Sequence, residues 1–165
     1  MAFQKLTEKP VSPENTGRLF VEWDRLLDKA ALGPTWLKEP RIARIAADAI
    51  EHGHFKLGFY ALHAYVVMSN HIHLLLTPAI DVRRIMRGLK GITANQANRI
   101  LRRRGQPFWQ DESFDHWVRD GLEFERIVSY IEFNPVKAGL VELPEEWPWS
   151  SARGTDNPVC SGLAR

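Results

Sequence analysis

Two histidines separated by one residue, His71 and His73, begin the apolar run in the segment SNHIHLLL, residues 69–76. Residues i and i+2 of a β-strand point to the same face, so the two imidazoles would lie side by side while Ile72 faces the other way. Two such rings can bind one metal ion. The alternative is an ordinary strand with two partly exposed histidines, and the pair alone does not separate these interpretations.

A second candidate set lies in the segment SYIEFNP, residues 129–135. Tyr130 and Asn134 are four residues apart, so in a helix they share one face. A tyrosine phenol can act as a nucleophile, and an asparagine carbonyl oxygen can ligate a hard cation or orient a phosphate. The alternatives are a tyrosine at the edge of the core and an asparagine at the C-terminal end of a helix, where asparagine is common.

Taken together, two histidines, an asparagine and a tyrosine suit phosphoryl transfer on a nucleic acid. A divalent ion held by neutral ligands keeps most of its charge and can polarise a phosphodiester, while a tyrosine displaces a sugar oxygen. The sequence has no Cys/His cluster for structural zinc, no glycine-rich nucleotide-binding loop and no GxSxG-type elbow for acyl transfer.

Basic residues are concentrated between residues 82 and 110, a segment that contains no Asp or Glu. The whole chain has a net charge of only +2, so the remainder is negative. This segregation predicts a surface that binds DNA phosphates, although a solvated helix face is the alternative. The eight candidate DNA-binding residues are Arg83, Arg84, Arg87, Lys90, Arg99, Arg102, Arg103 and Arg104.

An aromatic tract follows the basic segment. It contains Phe108, Trp109, Phe114 and Trp117, with His116 among them. These rings could pack in the core or stack on unpaired bases, and the sequence leaves both readings open. His116 has no assigned partner, so we expect a structural role for it.

Composition bounds the class of protein. A chain of 165 residues that is 44% hydrophobic fits one domain with a substantial core. A single cysteine, Cys160, excludes an intrachain disulfide, and no segment approaches the roughly 18 apolar residues of a membrane span. We therefore expect a cytoplasmic, nucleoid-associated protein with no membrane partner. The domain boundaries that we expect are a disordered lead-in at 1–16, one domain at 17–152 and a flexible tail at 153–165.

Hydrophobic periodicity and capping residues predict helices around an antiparallel hairpin, which indicates the α+β class. The hairpin turns near residues 68–70, the basic helix has two glycines, Gly88 and Gly91, where it could break, and Asp120 with Glu123 resembles a capping box. The predicted elements are helices at 17–31, 40–51, 82–104 and 122–133 and strands at 55–68 and 71–77.

Three blocks of the sequence, in this order, carry a resemblance to a known family: LHAYVVMSNHIHLLLTP, GQPFWQDESFDHWVRD and FERIVSYIEFNPVKAGLVELPEEWPWSSA. They span residues 62–152, over half of the chain. In these blocks the chain resembles the single-tyrosine HUH transposases of the IS200-like superfamily, specifically the REP-associated tyrosine transposase branch.

The resemblance implies a fold, a site and a reaction. The fold is a ferredoxin-like HUH transposase core, an antiparallel sheet with packed helices. His71, His73 and Asn134 correspond to the ligands of Mg²⁺ or Mn²⁺, and Tyr130 corresponds to the nucleophile. Such enzymes nick and join single-stranded DNA at hairpin-associated sites through a 5′-phosphotyrosine intermediate. The resemblance alone also implies a homodimer.

The sequence departs from the family pattern in one important place. Family members usually begin with a strand of the type HxTxR, and nothing in MAFQKLTEKPVSPENTGRLF matches it, so we expect the first strand to be missing. Two other functions follow if catalysis is lost or altered. One is a decayed or domesticated DNA-binding protein on the same fold, and the other is a phosphodiesterase that uses water instead of Tyr130.

Overall fold

The structure is a computed structural model, and it describes residues 33–110, 118 and 120–153. Several expectations lie outside these residues. They are the lead-in at 1–16, the helix at 17–31, the missing first strand, His116, and the tail beyond residue 153.

The first helix, α1, spans Pro40–Phe55 and follows a 3-10 turn at Trp36–Lys38. Its start at Pro40 is as predicted, because proline fits the first helical position. Its predicted end near Gly53 is wrong. The Tyr60 ring packs directly against Gly53 and its hydroxyl donates to the Ile50 carbonyl at 2.7 Å, so this glycine provides room for a ring within the helix.

Two antiparallel strands form the predicted hairpin. β1 spans Tyr60–Val67, β2 spans Ile72–Pro78, and Val66 lies opposite His73. β1 begins five residues later than predicted because α1 continues through Phe55. A bulge between Leu62 and Ala64 makes His63 an extra residue in β1.

The basic helix, α2, spans Val82–Ile100 and does not break at either glycine. Asp81 begins it by accepting a hydrogen bond from the Arg84 amide at 3.0 Å. The helix ends four residues earlier than predicted because Arg102 has a φ of 56°. The Arg103 amide then donates to the Asn98 carbonyl at 2.8 Å, which is the hydrogen bond of a Schellman cap without glycine.

The last two helices are nearly continuous. α3 spans Gly121–Glu132, one residue earlier at each end than predicted, and α4 spans Asn134–Lys137. Asp120 caps α3 by accepting from the Glu123 amide at 2.8 Å, in agreement with the predicted capping residue. The short α4 was not predicted.

The chain after α4 runs along the outer edge of β1. The Val67 amide donates to the Trp149 carbonyl at 2.8 Å, and the Ser151 amide donates to the Tyr65 carbonyl at 2.9 Å. The Trp147 indole also donates to the Val67 carbonyl at 3.0 Å. These contacts fasten the segment WPWSS, residues 147–151, to the edge of β1.

Helices cover both faces of the hairpin, which confirms the α+β prediction. On one side α1 and α2 pack with Tyr65, Val67 and Ile72 in the larger apolar core. On the other side α3 packs against Val66 and Leu75 in a smaller core. No helix in the described part of the chain is long and apolar enough to span a membrane.

Candidate active site

The alternation of β2 places the two histidines of the segment SNHIHLLL on the side of the sheet that α3 covers. His73 lies opposite Val66, which belongs to the core under α3, and Ile72 points to the core under α1. His71 is buried and His73 is half-buried. The shared face of the two imidazoles is thus as the i, i+2 spacing predicts.

The two imidazoles meet through their Nε2 atoms, which lie 3.0 Å apart, and their rings are inclined by 79°. The Nδ1 atom of His71 lies 2.9 Å from the Oδ1 atom of Asn70. Because an amide oxygen only accepts, Nδ1 carries the proton and Nε2 of His71 keeps its lone pair. A second partner that fixes the tautomer in this way is usual for histidines that bind metals.

Burial also keeps His71 uncharged. It lowers the pKa of His71 well below its usual range, and the neighbouring His73 lowers it further. A metal-binding imidazole must be neutral, so this environment favours the form that binds a cation.

The spacing of the two nitrogens fits a metal ion. Adjacent ligands of an octahedral ion with bonds of about 2.1 Å lie as far apart as the 3.0 Å between the Nε2 atoms of His71 and His73. The described residues contain no group of three His, Cys, Asp or Glu side chains that could hold a metal, so a third ligand from among these residues would have to be of another type.

Tyr130 lies on α3 beside this pair. Its ring stands edge-on to the His73 ring with the centroids 6.0 Å apart. The ammonium nitrogen of Lys137 lies 4.0 Å from the centroid of the Tyr130 ring. Tyr130 is half-buried, so part of its side chain is open to solvent. The structure therefore brings His71, His73 and Tyr130 together, as their candidate roles require.

Asn134 begins α4, one turn after Tyr130, and its side chain is fully buried. Its backbone carbonyl accepts from the Ala138 amide at 3.0 Å, which holds the short helix. Asn134 directly follows Phe133, the C-cap residue of α3, so it lies at the C-terminal end of one helix and at the start of the next.

A buried polar contact connects α3 to the sheet two residues after Tyr130. The hydroxyl of Ser151 donates to Glu132 at 3.2 Å, and it accepts from the Tyr65 amide at 3.0 Å. Burial raises the pKa of Glu132, and the hydrogen bond from Ser151 opposes this shift. The segment after α4 thus joins the helix that carries Tyr130 to β1.

The basic helix is not part of this cluster. α2 packs with α1 on the opposite side of the sheet. Two of the eight predicted DNA-binding residues are half-buried and have partners within the chain. Lys90 donates to the Gln110 carbonyl at 2.9 Å, and the Arg103 guanidinium lies 4.0 Å from the centroid of the Trp36 ring. The six exposed members are Arg83, Arg84, Arg87, Arg99, Arg102 and Arg104.

The aromatic tract is described only in part. Phe108 is buried and stacks on Trp36 with the ring centroids 5.2 Å apart. Trp109 is half-buried and donates to the Thr93 hydroxyl at 2.8 Å. These two rings pack in the core, whereas Phe114 and Trp117 lie outside the described residues.

Two residues at the site were not predicted from the sequence. Asn70 directly precedes the histidines, in the turn of the hairpin. Lys137 follows Tyr130 by seven residues, which is two helical turns, so its side chain could have been placed near Tyr130 if α4 had been predicted.

Comparisons with known proteins agree with this fold and sequence pattern. A model of the family "Transposase IS200 like" matches residues 38–134, which is more than half of the chain. A putative REP-associated tyrosine transposase of Haemophilus influenzae is 32% identical over 99 residues, covering 53% of this chain and 56% of that protein. A REP-associated tyrosine transposase of Escherichia coli K12 is 37% identical over 43 residues, 26% of each chain.

A solved structure, that of a REP-associated tyrosine transposase bound to a REP hairpin, shares the fold. Its TM-score is 0.54 at 24% identity, covering 72% of this chain and 68% of the other. The chain spans about half the length of the first curated relative and about a quarter of the second. On the family match and this shared fold, the chain belongs to the IS200-like transposase family.

Proposed function

We propose that this protein nicks and joins single-stranded DNA through a covalent link to Tyr130, with the help of a divalent cation. The observation that carries the proposal is the cluster on the α3 side of the sheet. The two Nε2 atoms lie 3.0 Å apart, and the Tyr130 ring stands edge-on to His73. A tyrosine phenol next to two imidazoles that can bind a divalent cation is an arrangement that suits phosphoryl transfer.

In the proposed reaction the phenol oxygen of Tyr130 attacks a DNA phosphorus. The new bond joins Tyr130 to the 5′-phosphate, and the bond from phosphorus to the 3′-oxygen breaks. The electron pair stays on the 3′-oxygen, which takes up a proton to become a free hydroxyl. Attack by this or another 3′-hydroxyl reverses the step and releases Tyr130, so no external energy source is needed.

The protein groups have separate tasks in this reaction. His71 and His73 would hold Mg²⁺ or Mn²⁺ with their Nε2 atoms, and Asn134 is the proposed third ligand through its amide oxygen. A bound cation would offset the negative charge that develops on the phosphate. The His73 ring also lies next to the Tyr130 ring, with the ring centroids 6.0 Å apart.

Hairpin DNA is the proposed substrate. Its support comes from the structure of the related transposase, which is bound to a REP hairpin. The six exposed arginines of the basic segment would bind phosphates and thereby hold the DNA without reading its sequence. Since α2 and Tyr130 lie on opposite sides of the sheet, DNA bound to both would extend around the domain.

The test is a denaturing gel assay with a labelled DNA hairpin that has single-stranded flanks, in the presence of Mn²⁺ or Mg²⁺. We expect wild-type protein to form an adduct that survives denaturation, and we expect EDTA to prevent it. Tyr130→Phe should form none. Tyr60→Phe is the matched control, since Tyr60 is buried on the other side of the sheet and should be dispensable for the adduct.

Other outcomes of this assay identify the alternative functions. Salt-sensitive DNA binding without any adduct, unchanged by Tyr130→Phe or His71→Ala, indicates a non-catalytic DNA-binding protein. Metal-dependent cleavage that persists in Tyr130→Phe indicates a phosphodiesterase that uses water. Either result contradicts the proposal.

A further inference from the structure

We propose that Lys137 is a catalytic residue whose ammonium group binds the phosphate while that phosphate is transferred to and from Tyr130. This inference rests on the proposed function of Tyr130. It starts from one contact, in which the Nζ atom of Lys137 lies 4.0 Å from the centroid of the Tyr130 ring. The attacking oxygen is bonded to that ring, so the positive charge lies over the ring that carries the nucleophile.

The backbone around Lys137 is well fixed. Asn134 and Pro135 are buried at the start of α4, and the Lys137 amide donates to the Phe133 carbonyl at 3.0 Å. Gly139 ends the helix with a φ of 67°, a conformation that favours glycine. The amide of Leu140 donates to the Pro135 carbonyl at 2.9 Å, which completes a Schellman cap. The backbone that carries Lys137 is therefore held in place by a short, capped helix that directly follows α3.

The Lys137 side chain is exposed, whereas the core that supports Tyr130 is apolar and lies beneath it. An exposed contact between an ammonium and a ring stabilises a fold only weakly. A substrate phosphate in front of Tyr130 would approach from the open side of the ring. An ammonium has three N–H donors, so it can stay over the ring and also donate to phosphate oxygens.

The chemistry requires positive charge at this place. While the bond between the phenol oxygen and phosphorus forms and the bond to the 3′-oxygen breaks, negative charge increases on the non-bridging phosphate oxygens. A cation that is already in position stabilises this charge without reorganisation. Lys137 stays protonated throughout this step. The phenol of Tyr130 loses its proton to solvent, and the released 3′-oxygen takes up a proton from solvent. The reverse step needs the same charge, because it passes through the same arrangement of atoms.

The first experiment compares single-turnover rates of adduct formation at saturating hairpin DNA with the affinity for the same DNA. We expect Lys137→Met to slow adduct formation by roughly 10- to 100-fold while DNA affinity changes by less than about 3-fold. Lys137→Arg keeps the charge and should stay within about 5-fold of the wild-type rate. Lys56→Met removes an exposed lysine at the end of α1, on the other side of the sheet, and should leave the rate unchanged.

A second experiment tests the contact with the phosphate. Sulfur replaces each non-bridging oxygen of the scissile phosphate in turn, and the rate penalty is measured in wild type and in Lys137→Met. If the ammonium binds one of these oxygens, one of the two substitutions should cost wild type more than it costs the variant. A purely structural role of Lys137 would leave the two penalties equal.

The results separate this inference from the function on which it rests. An adduct that depends on Tyr130 but forms at the wild-type rate in Lys137→Met overturns the role of Lys137 alone. Loss of DNA affinity with an unchanged rate at saturation also overturns it. Absence of any adduct in wild type, or an adduct that persists in Tyr130→Phe, overturns both proposals.

Discussion

The two faces of β2 have different compositions and different neighbours. Towards α1 and α2 the strand presents apolar side chains only, which are Ile72, Leu74 and Leu76. Towards α3 it presents His71 and His73, followed further along by Leu75 and Thr77. One strand thus contributes to the main core with one face and positions polar rings with the other. The apolar residues and the histidines alternate along the same backbone. Packing of the apolar side chains in the main core therefore also fixes the position of the two imidazole rings.

The tyrosines on the two sides differ in the same way. Tyr65 is fully buried on the core side and its hydroxyl donates to Glu51 at 2.6 Å. Burial raises the pKa of Tyr65 above its usual range, and the hydrogen bond to Glu51 raises it further. Tyr130 is half-buried and lies beside His73. Because Tyr65 is fully buried, DNA cannot reach its hydroxyl. Of these two tyrosines, only Tyr130 has the exposure that a nucleophile needs.

The largest effect is expected from removing a ring on the α3 side of the sheet. His73→Ala should reduce the rate of adduct formation by at least about 100-fold, because a bound cation contributes several kcal/mol to such reactions. His63→Ala is the matched control, since His63 lies on the same side but bonds Thr77 at 2.8 Å and contacts Phe124. Single-turnover gel assays measure both. Equal losses of the adduct-formation rate in the two variants would contradict a specific role for His73.

The adjacent residue on the other face should respond in the opposite way. Ile72→Ala should lower the free energy of unfolding by about 2–5 kcal/mol, because it leaves a cavity in the main core. Adduct formation per folded molecule should change little. Urea unfolding followed by circular dichroism measures the stability, and the gel assay at low temperature measures the activity. Unchanged stability would contradict the division between the two faces.

A smaller effect is expected where the segment after α4 joins the two sides. Ser151→Ala removes the hydroxyl that forms hydrogen bonds with both the Tyr65 amide and Glu132. The free energy of unfolding should therefore fall by about 1–3 kcal/mol. The amide of Ser151 keeps its bond to the Tyr65 carbonyl in this variant. Thermal unfolding of Ser151→Ala beside Ser69→Ala, a change in the hairpin turn, provides the comparison. Equal stability of both variants would show that this buried contact contributes nothing.

The smallest effects are expected from single charges on α2. Arg87→Gln should weaken binding of single-stranded DNA a few-fold and reduce the slope of log affinity against log salt by about 0.7, since one phosphate contact is lost. Its adduct rate at saturating DNA should equal that of wild type. Arg41→Gln is the control, because Arg41 is exposed on α1 and pairs with Glu39 at 2.9 Å. The same slope for Arg87→Gln and wild type would exclude Arg87 from the DNA-binding surface.

Alternation and capping signals predicted much of this arrangement from the sequence. The face shared by His71 and His73 follows from the i, i+2 rule, and the start of α3 follows from Asp120 as a cap. The end of α1 could not be predicted from Gly53, because its role depends on the Tyr60 ring, which packs there only in the folded chain. The end of α2 could not be predicted either, since Arg102 has the positive φ at which a helix usually ends in glycine.

The candidate site residues were chosen from the sequence, but their arrangement in space could not be predicted from it. Spacing alone placed Tyr130 and Asn134 on one helical face, yet Asn134 begins a separate short helix. The position of α2 on the far side of the sheet has no local sequence signal, and the seven-residue spacing of Tyr130 and Lys137 indicates a contact only once α4 is known. Both depend on how helices pack on the sheet, which the hydrophobic pattern of one helix does not determine.

The most direct test of the central claim is to identify the amino acid that carries the DNA. The covalent adduct would be trapped with hairpin DNA and Mn²⁺, digested with nuclease and protease, and mapped by mass spectrometry. We predict a nucleotide linked through its 5′-phosphate to Tyr130, with Tyr60 and Tyr65 unmodified. A nucleotide on any other residue would contradict the assignment of the α3 side of the sheet as the catalytic one.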